Sequence, residues 1–245
     1  MGVVDVLWTA GWDSTFRVAD LILNHNAVVR PWYVMDRNRR SAETELATQD
    51  VIRAALADLD PTATQRLLAT QIIKVDEIPP IPAISADWAV LRERFTGDQY
   101  EFLARLAEDQ QLTLELGIEV GGHAYNLLIA NVEENDGVYR LVAHPDDPAL
   151  EVFRRFRFPL FNMTKLDMEN AARRDGFSQV MELTWFCHSP LRGKPCGCCN
   201  PCRQTRDEGL GRRVPPLTRW RYVQVGLMDK VSPLRQVRRR HRFRP

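Results

Sequence analysis

Cysteine is missing from most of this chain, and so is any long apolar run. No cysteine precedes Cys187, so disulfides cannot bridge the larger part of the fold. No apolar stretch approaches the ~20 residues of a membrane-spanning helix, and no basic flank with an apolar segment opens the chain. Neither membrane insertion nor secretion is therefore expected. The net charge of +1 shows no overall excess of one sign. Reduced thiols fit a cytoplasmic protein.

What is present fits one enzyme domain. The chain has 245 residues, 44% of them hydrophobic, which is enough to bury a sizeable core. Short apolar segments alternate with amphipathic ones, without repeats, low-complexity tracts or a clear domain boundary. This alternation predicts a single α/β domain over residues 1–245, with a doubly wound, mostly parallel, Rossmann-like sheet.

The periodicity of apolar residues predicts the individual elements. The predicted strands are Val3–Trp8, Val28–Met35, Gln71–Val75, Thr113–Val120, Gly137–Val142 and Val180–Trp185. The predicted helices are Ser14–Leu23, Ala42–Leu59, Asp98–Glu108 and a segment that follows Met163. Thr164 and Asp167 form a capping box for the last helix, and Gly176 is a suitable stop. The proline-rich run Ile78–Pro82 is expected to be a rigid connector.

All five cysteines lie in one short segment from Cys187 to Cys202. Eight residues separate Cys187 from Cys196, and CxxC steps lead on to Cys199 and Cys202, so four thiolates can converge on one tetrahedral ion. Cys198 is out of step with this spacing and is interpreted as the spare cysteine.

Zinc is the expected ion, while an iron–sulfur cluster and disulfides remain open alternatives. Four protein sulfurs complete the coordination shell of zinc, so the zinc-binding segment predicted at residues 180–210 is interpreted as structural. The chemistry is therefore expected elsewhere in the chain.

A small, hydroxyl-rich turn lies between the first predicted strand and the first predicted helix. It consists of Thr9, Ala10, Gly11, Trp12, Asp13, Ser14 and Thr15. A strand, a turn and a helix start place free backbone N–H groups and the positive end of a helix dipole against a phosphate. The three hydroxyls can add donors, and Asp13 can cap the helix or orient a magnesium ion. An ordinary turn with an Asp or Ser cap would share this pattern, so both interpretations stay open.

A cationic turn follows the second predicted strand and is expected beside the first one. Arg37, Arg39 and Arg40 lie there, and Ser41 follows them. In an open α/β sheet, ligands bind outside the carboxyl ends of the strands, so Arg37 and Arg39 are candidate ATP-binding residues. A solvated basic loop is the alternative.

Two of these features together resemble the N-type ATP pyrophosphatases. TAGWDST resembles their SGGxDS pyrophosphate loop, and the cysteine block resembles the zinc site of one branch, the 7-cyano-7-deazaguanine synthases of queuosine biosynthesis. The branch pattern is a cysteine, a gap of eight, and CGxCxxC followed by an arginine. It is matched by Cys187, Cys196, Gly197, Cys199, Cys202 and either Arg203 or Arg206. The segment Phe158–Phe177, with its proline, threonine-lysine pair and following helix, is also similar.

The resemblance implies a fold of the adenine nucleotide alpha hydrolase type and an ATP-dependent carbon–nitrogen ligase. Such an enzyme uses ATP with magnesium, adenylates 7-carboxy-7-deazaguanine or a relative, and releases pyrophosphate. Ammonia then attacks the activated acid, and a second adenylation dehydrates the amide to a nitrile. Asp13, Ser14 and Lys165 are the catalytic residues that the resemblance implies, with Lys165 as a mobile cation for the α-phosphate.

The chain departs from the family pattern in two places. Ala10 replaces the first glycine of the loop, where glycine permits a positive φ or a close approach to phosphate. The family's central tyrosine-proline-aspartate-cysteine-arginine stretch is missing from residues 95–153. A different substrate or nucleophile is therefore expected, as in antiphage-defence homologues in which a deazaguanine acid could be joined to a protein amine. A protein acceptor and a homodimer are accordingly partner hypotheses.

A basic tail at residues 231–245 supports an interpretation from another class. It carries six arginines and no acid, a composition that can bind phosphate backbones. A non-catalytic zinc module that binds nucleic acid is therefore kept as a less favoured alternative. His123 and His144 are minor acid–base candidates, because a lone histidine is more often structural.

Overall fold

A parallel five-stranded sheet organises the chain. The computed structural model describes residues 2–36, 39–95 and 97–216, and the predicted ATP ligand Arg37 and the basic tail at residues 231–245 lie outside them. The strands are β1 Val3–Leu7, β2 Val28–Met35, β3 Gln71–Lys74, β4 Leu114–Glu115, β5 Val132–Asn135, β6 Val138–Leu141 and β7 Phe156–Arg157. The order in the main sheet is β3-β2-β1-β4-β7, with every neighbouring pair parallel, while β5 and β6 form a separate antiparallel hairpin.

Helices connect the strands. They are α1 Trp12–Leu23, α2 Ala42–Leu59, α3 Ala63–Arg66, α4 Pro82–Leu91, α5 Gln99–Asp109, α6 His123–Leu128, α7 Lys165–Arg174, α8 Ser178–Glu182 and α9 Asn200–Thr205. Short 3₁₀ turns cover Val75–Glu77, Ile129–Asn131, Pro148–Phe153 and Gly211–Arg213, and a π-helical turn covers Arg206–Leu210.

The sheet carries a hydrophobic core on each face. Because successive side chains of a strand point to opposite faces, Val6 and Val29 pack in a cluster with α1, whereas Leu7 and Trp32 pack in a cluster with α4 and α5. Burial on both faces explains why β1 and β2 read as nearly continuous apolar runs. The predicted α/β class with a mostly parallel sheet is confirmed.

The structure confirms several predicted elements in detail. Helix α2 has the predicted bounds, and α7 begins with the predicted capping box. The backbone N–H of Asp167 donates to Thr164 Oγ1 at 3.2 Å, and the N–H of Thr164 donates to Asp167 Oδ2 at 2.8 Å. Gly176 follows this helix with φ +82°, a conformation that glycine adopts without strain.

Other predicted elements are wrong or shorter than predicted. The strand predicted at Val180–Trp185 is wrong, because α8 covers its first half and buries Val180 and Met181. A short apolar run cannot distinguish a buried strand from a buried helix. The strand predicted at Thr113–Val120 pairs only at Leu114–Glu115. The connector ends earlier than predicted, because Pro82 begins α4, where its missing N–H costs nothing.

Candidate functional site

The main sheet has a switch point between β1 and β4. From β1 the chain winds outward through β2 and β3 on one side, and later through β4 and β7 on the other. The loops that follow β1 and β4 therefore leave the carboxyl edge in opposite directions and open a crevice. A cavity of about 430 Å³ lies there, within the range of small-molecule sites, and Thr9, Gly11, Asp13 and Ser14 line it.

The first turn of α1 presents unpaired backbone donors at this cavity. The first helical hydrogen bond runs from the N–H of Thr15 to the carbonyl of Gly11 at 3.0 Å. The N–H groups of Trp12, Asp13 and Ser14 precede it, so the helix itself offers them no carbonyl partner. The N-cap residue Gly11 makes no side-chain cap. Together with the helix dipole, these donors can bind an anion.

Ala10 adopts the backbone conformation for which glycine is used. Its φ is +55° and its side chain is fully buried, so the loop bears a strain of about 1–2 kcal/mol. Its carbonyl accepts a hydrogen bond from the N–H of Trp185 at 2.8 Å. This bond ties the loop to the segment that leads into the cysteines.

The remaining predicted side chains of the loop lie in three different surroundings. Ser14 Oγ lies 3.4 Å from the N–H of Thr9 and donates to the carbonyl of Gly11 at 3.4 Å, so it is inside the loop. Trp12 is buried and lines the cavity. Thr15 lies behind the loop, where its Oγ1 accepts from the indole of Trp8 at 3.0 Å. Thr15 thus supports the strand–helix junction instead of facing the cavity.

Lys165 lies opposite the loop, between three carboxylates. It is the first residue of α7, and its Nζ is 2.7 and 2.8 Å from the two oxygens of Asp13. Glu119, beyond the end of β4, is 3.1 Å away, and Glu208, from the π-helical turn, is 3.7 Å away. Two of the predicted catalytic residues, 152 positions apart in sequence, are therefore in contact.

Burial and charge control the protonation of this cluster. Burial raises the pKa of Glu119 to about 7, the charge of Asp13 adds to the rise, and Lys165 opposes it. Burial also raises the pKa of Glu208. For Lys165, burial lowers the pKa, but the three carboxylates outweigh it and the net pKa is raised. At neutral pH Lys165 is therefore charged, while the carboxyl of Glu119 takes up a proton much more readily than an ordinary glutamate does.

Sequence reasoning missed both glutamates. A signal existed for Glu119, since a polar residue soon after a buried strand lies at the ligand-binding edge of such a sheet. We find no corresponding signal for Glu208. Gly117 lies nearby and permits the close approach of the segment after β4 to α1, because a Cβ there would be 2.9 Å from the Cβ of Asp13.

The turn after β2 brings Arg39 to the cavity wall. The Nε of Arg39 donates to Glu45 Oε1 at 2.8 Å, and Glu45 is buried. The hydroxyls of Ser41 and Tyr33 donate to the same carboxylate at 2.7 and 2.9 Å. The hydroxyl of Ser41 therefore fixes Glu45 instead of capping α2.

The two histidine candidates lie in different surroundings. His123 begins α6 and lines the cavity, so it stays an acid–base candidate by position. His144 is not part of the cavity wall and lies within electrostatic range of Glu151.

The four predicted metal ligands converge. The Sγ atoms of Cys187, Cys196, Cys199 and Cys202 all lie within 4.8 Å of one another, and Cys198 is not a member of this group. The Sγ–Sγ distances are 3.8 Å for Cys187–Cys199, 3.8 Å for Cys196–Cys202 and 3.4 Å for Cys199–Cys202. Backbone N–H groups point at the sulfurs, among them Cys196 N to Cys187 Sγ at 3.2 Å and Cys199 N to Cys196 Sγ at 3.2 Å. These four cysteines can hold a metal ion.

The cysteine cluster lies next to the cavity wall. Helix α9 begins directly after Cys199, and Pro201, Gln204 and Thr205 from this helix line the cavity. Glu208 and Arg213 follow in the same segment and line it too. A metal bound to the cysteines would therefore hold one side of the cavity in place.

Among known proteins, the chain is similar to solved structures. No protein-family model matches the chain, and no curated protein sequence does. The U34-tRNA thiolase NcsA from Methanococcus maripaludis, solved with its 4Fe-4S cluster, is 13% identical, with a TM-score of 0.41 over 94% of this chain and 72% of its own. Within the described ranges, every helix is too short or too polar to span a lipid bilayer. The strand order and the crevice at the switch point define the chain as an α/β protein with a doubly wound parallel sheet.

Proposed function

We propose that this protein is an ATP-dependent ligase that adenylates a carboxylate and transfers the acyl group to a nitrogen nucleophile. One observation carries the proposal. The loop at Thr9–Ser14, Lys165 and the segment after Cys187 are far apart in sequence, yet they line one cavity at the switch point of the sheet. These are the three features in which the chain resembles the 7-cyano-7-deazaguanine synthases.

The first step forms an acyl adenylate. The N–H groups of Trp12, Asp13 and Ser14 bind the phosphates of ATP, and the substrate carboxylate attacks the α-phosphorus. The bond from this phosphorus to the pyrophosphate oxygen breaks, and pyrophosphate leaves with its electron pair. Lys165 moves from Asp13 towards the α-phosphate and stabilises the charge of the transition state. A magnesium ion that enters with ATP would neutralise phosphate charge, and the Asp13 carboxylate, once Lys165 has moved away, would hold it.

The second step transfers the acyl group. The nitrogen lone pair attacks the carbonyl carbon, and AMP leaves with the bridging oxygen. The nitrogen must then lose a proton, and Glu119 is a suitable acceptor because it lies in the cavity and its pKa is about 7.

We propose 7-carboxy-7-deazaguanine or a relative as the acid. Beside the polar loop, the cavity wall includes Phe95, Tyr100, Leu103 and Ile118, which can pack against a flat heterocycle. Gly121 to Ala124 also line the cavity and belong to the central region that lacks the family's motif. A protein amine in place of ammonia is therefore the second candidate nucleophile.

We propose that the cysteine cluster holds a structural zinc ion. With Zn–S bonds of about 2.3 Å, a tetrahedral site separates its sulfurs by about 3.8 Å, and two of the observed distances are 3.8 Å. A four-iron cluster would hold four thiolates farther apart, because the iron–sulfide core lies between them. Metal analysis should find one zinc per chain, and the purified protein should be colourless.

Product analysis tests the proposed activity. Incubation with ATP, magnesium and 7-carboxy-7-deazaguanine should yield AMP and pyrophosphate in equal amounts. Asp13→Ala should abolish both, whereas Asp50→Ala, on the exposed side of α2, should not. Mass spectrometry with ammonia, and with a protein acceptor, identifies the product as nitrile, amide or conjugate. Release of neither AMP nor pyrophosphate with this acid, with either nucleophile, would contradict the proposal.

A further inference from the structure

A buried arginine near the end of the described chain lies against Trp12 in the loop at Thr9–Ser14. Arg213 follows the cysteine cluster, and its side chain is only 7% exposed. Its guanidinium lies over the ring of Trp12 at 4.9 Å and over the ring of Phe186 at 5.4 Å. Trp12 is the first residue of α1, and Trp12 and Arg213 both line the cavity at which this helix begins.

Backbone carbonyls supply much of the polar environment of this guanidinium. It donates to the carbonyl of Thr184 at 2.6 Å and to that of Glu182 at 3.3 Å. The carboxylate of Glu182 is 3.4 Å away, half exposed, and shared with Arg212. Burial lowers the pKa of Arg213 to about 10; the charge of Glu182 opposes this shift, and the charge of Arg212 adds to it. The carboxylate that pairs with this buried charge is half exposed and shared with Arg212, which leaves part of the charge to attract an anion.

The other cations of the cavity are more fully neutralised. Among the described residues, three lysine or arginine side chains line the cavity, namely Arg39, Lys165 and Arg213. Arg39 is 2.8 Å from the buried carboxylate of Glu45, and Lys165 lies among three carboxylates. Arg213 is therefore the cation of this set with most charge left for a ligand.

We infer that Arg213 binds the pyrophosphate portion of the nucleotide. Its guanidinium donates to phosphate oxygens from one side, while the first turn of α1 donates backbone N–H groups from the other. This inference rests on the proposed function and extends it. A metal ion bound to the cysteines would, in addition, hold in place the segment that carries Arg213 to Trp12.

A purely structural role is the competing explanation. Arg213 would then only fasten the last described segment to Trp12 and to the carbonyl of Thr184. Loss of its charge would lower the melting temperature and leave the affinity for anions unchanged. Anion binding predicts a specific loss of affinity for pyrophosphate in a protein that is still folded.

The test compares neighbouring arginines in the full chain. Arg213→Met keeps the apolar stem and removes the charge. Arg212→Met is the matched control, because Arg212 is 45% exposed, pairs with Glu169 and Glu182, and does not line the cavity. Calorimetric titrations measure the Kd for magnesium pyrophosphate and for AMP, and circular dichroism measures folding.

We expect Arg213→Met to weaken pyrophosphate binding by about tenfold or more, with AMP binding changed less than about twofold. Arg212→Met should change neither. Unchanged pyrophosphate affinity in folded Arg213→Met, or an equal loss in both variants, would overturn the inference. If the wild type binds neither pyrophosphate nor ATP, the proposed function itself fails.

A second measurement needs no altered protein. In the wild type, the Nε–H signal of Arg213 should shift in nuclear magnetic resonance spectra when magnesium pyrophosphate is added, whereas that of Arg212 should not. A stationary Arg213 signal at saturating pyrophosphate would overturn the inference even if Arg213→Met did not fold.

Discussion

Removal of the Lys165 ammonium should destabilise the protein in a pH-dependent way. In Lys165→Met, the carboxylates of Asp13, Glu119 and Glu208 face one another without the cation that lies between them. Removing one partner of a buried ionic cluster typically costs about 3–5 kcal/mol. We expect a loss of this size in the free energy of unfolding at pH 8.

The loss should shrink in acid. The pKa of Glu119 is about 7 and that of Glu208 is raised even with Lys165 present, and without the cation both should rise further. A raised folded pKa means that the folded state binds more protons than the unfolded state, so stability falls as pH rises through this window. At pH 5.5 the glutamates of the variant can be neutral, and the loss should fall to about 1–2 kcal/mol.

Urea unfolding followed by far-ultraviolet circular dichroism, at pH 5.5 and pH 8, measures this difference. Lys74→Met is the matched control, because Lys74 pairs with Glu77 on the surface and should contribute about 0–1 kcal/mol at either pH. Lys165→Met combined with Glu119→Gln should recover part of the stability lost at pH 8. Equal destabilisation by Lys165→Met at both pH values would refute the electrostatic reasoning.

Three further predictions concern the same region. Glu119→Gln should raise the free energy of unfolding at pH 8 by up to about 3 kcal/mol and change it little at pH 5, because the wild-type carboxyl is already protonated at pH 5. A difference from the wild type that stays constant across this pH range in thermal denaturation would contradict this prediction. Gly117→Ala should lower the free energy of unfolding by about 1–3 kcal/mol and weaken ATP binding in calorimetry, because the added Cβ would press on the first turn of α1. Gly2→Ala is the control, since a Cβ there meets open space and should be neutral; equal effects of the two substitutions would show that the contact at Gly117 is not tight. Cys196→Ser should lose the bound metal in mass-spectrometric metal analysis and about 3 kcal/mol or more of the free energy of unfolding, whereas Cys198→Ser should keep the metal and the stability. Equal losses in the two variants would show that the metal has a different set of ligands.

Local patterns predicted much of the fold. The apolar runs of β1 and β2, the amphipathic repeat of α2 and the capping box at Thr164 are each encoded within a few neighbouring residues. The error at Val180–Trp185 has the opposite origin. Packing against the rest of the core stabilises a helix there, and the local sequence pattern does not show which residues will pack against it.

In the candidate site, too, residues in local motifs could be predicted, and residues that depend on long-range contacts could not. The loop at Thr9–Thr15, Lys165 and the four cysteines stand in recognisable motifs, so sequence reasoning found them. Glu119 depends on a strand of only two residues, and its partner Lys165 comes from a distant helix. Arg212 and Arg213 are identical neighbours in sequence, yet one is half exposed and the other buried against Trp12. Such differences arise from long-range contacts.

A crystal structure with magnesium and a non-hydrolysable ATP analogue would examine the nucleotide site itself. We expect the triphosphate at the end of β1, with its oxygens accepting hydrogen bonds from the backbone N–H groups of Trp12, Asp13 and Ser14. A nucleotide bound elsewhere, or a crevice that stays empty at saturating concentration, would contradict the proposed chemistry.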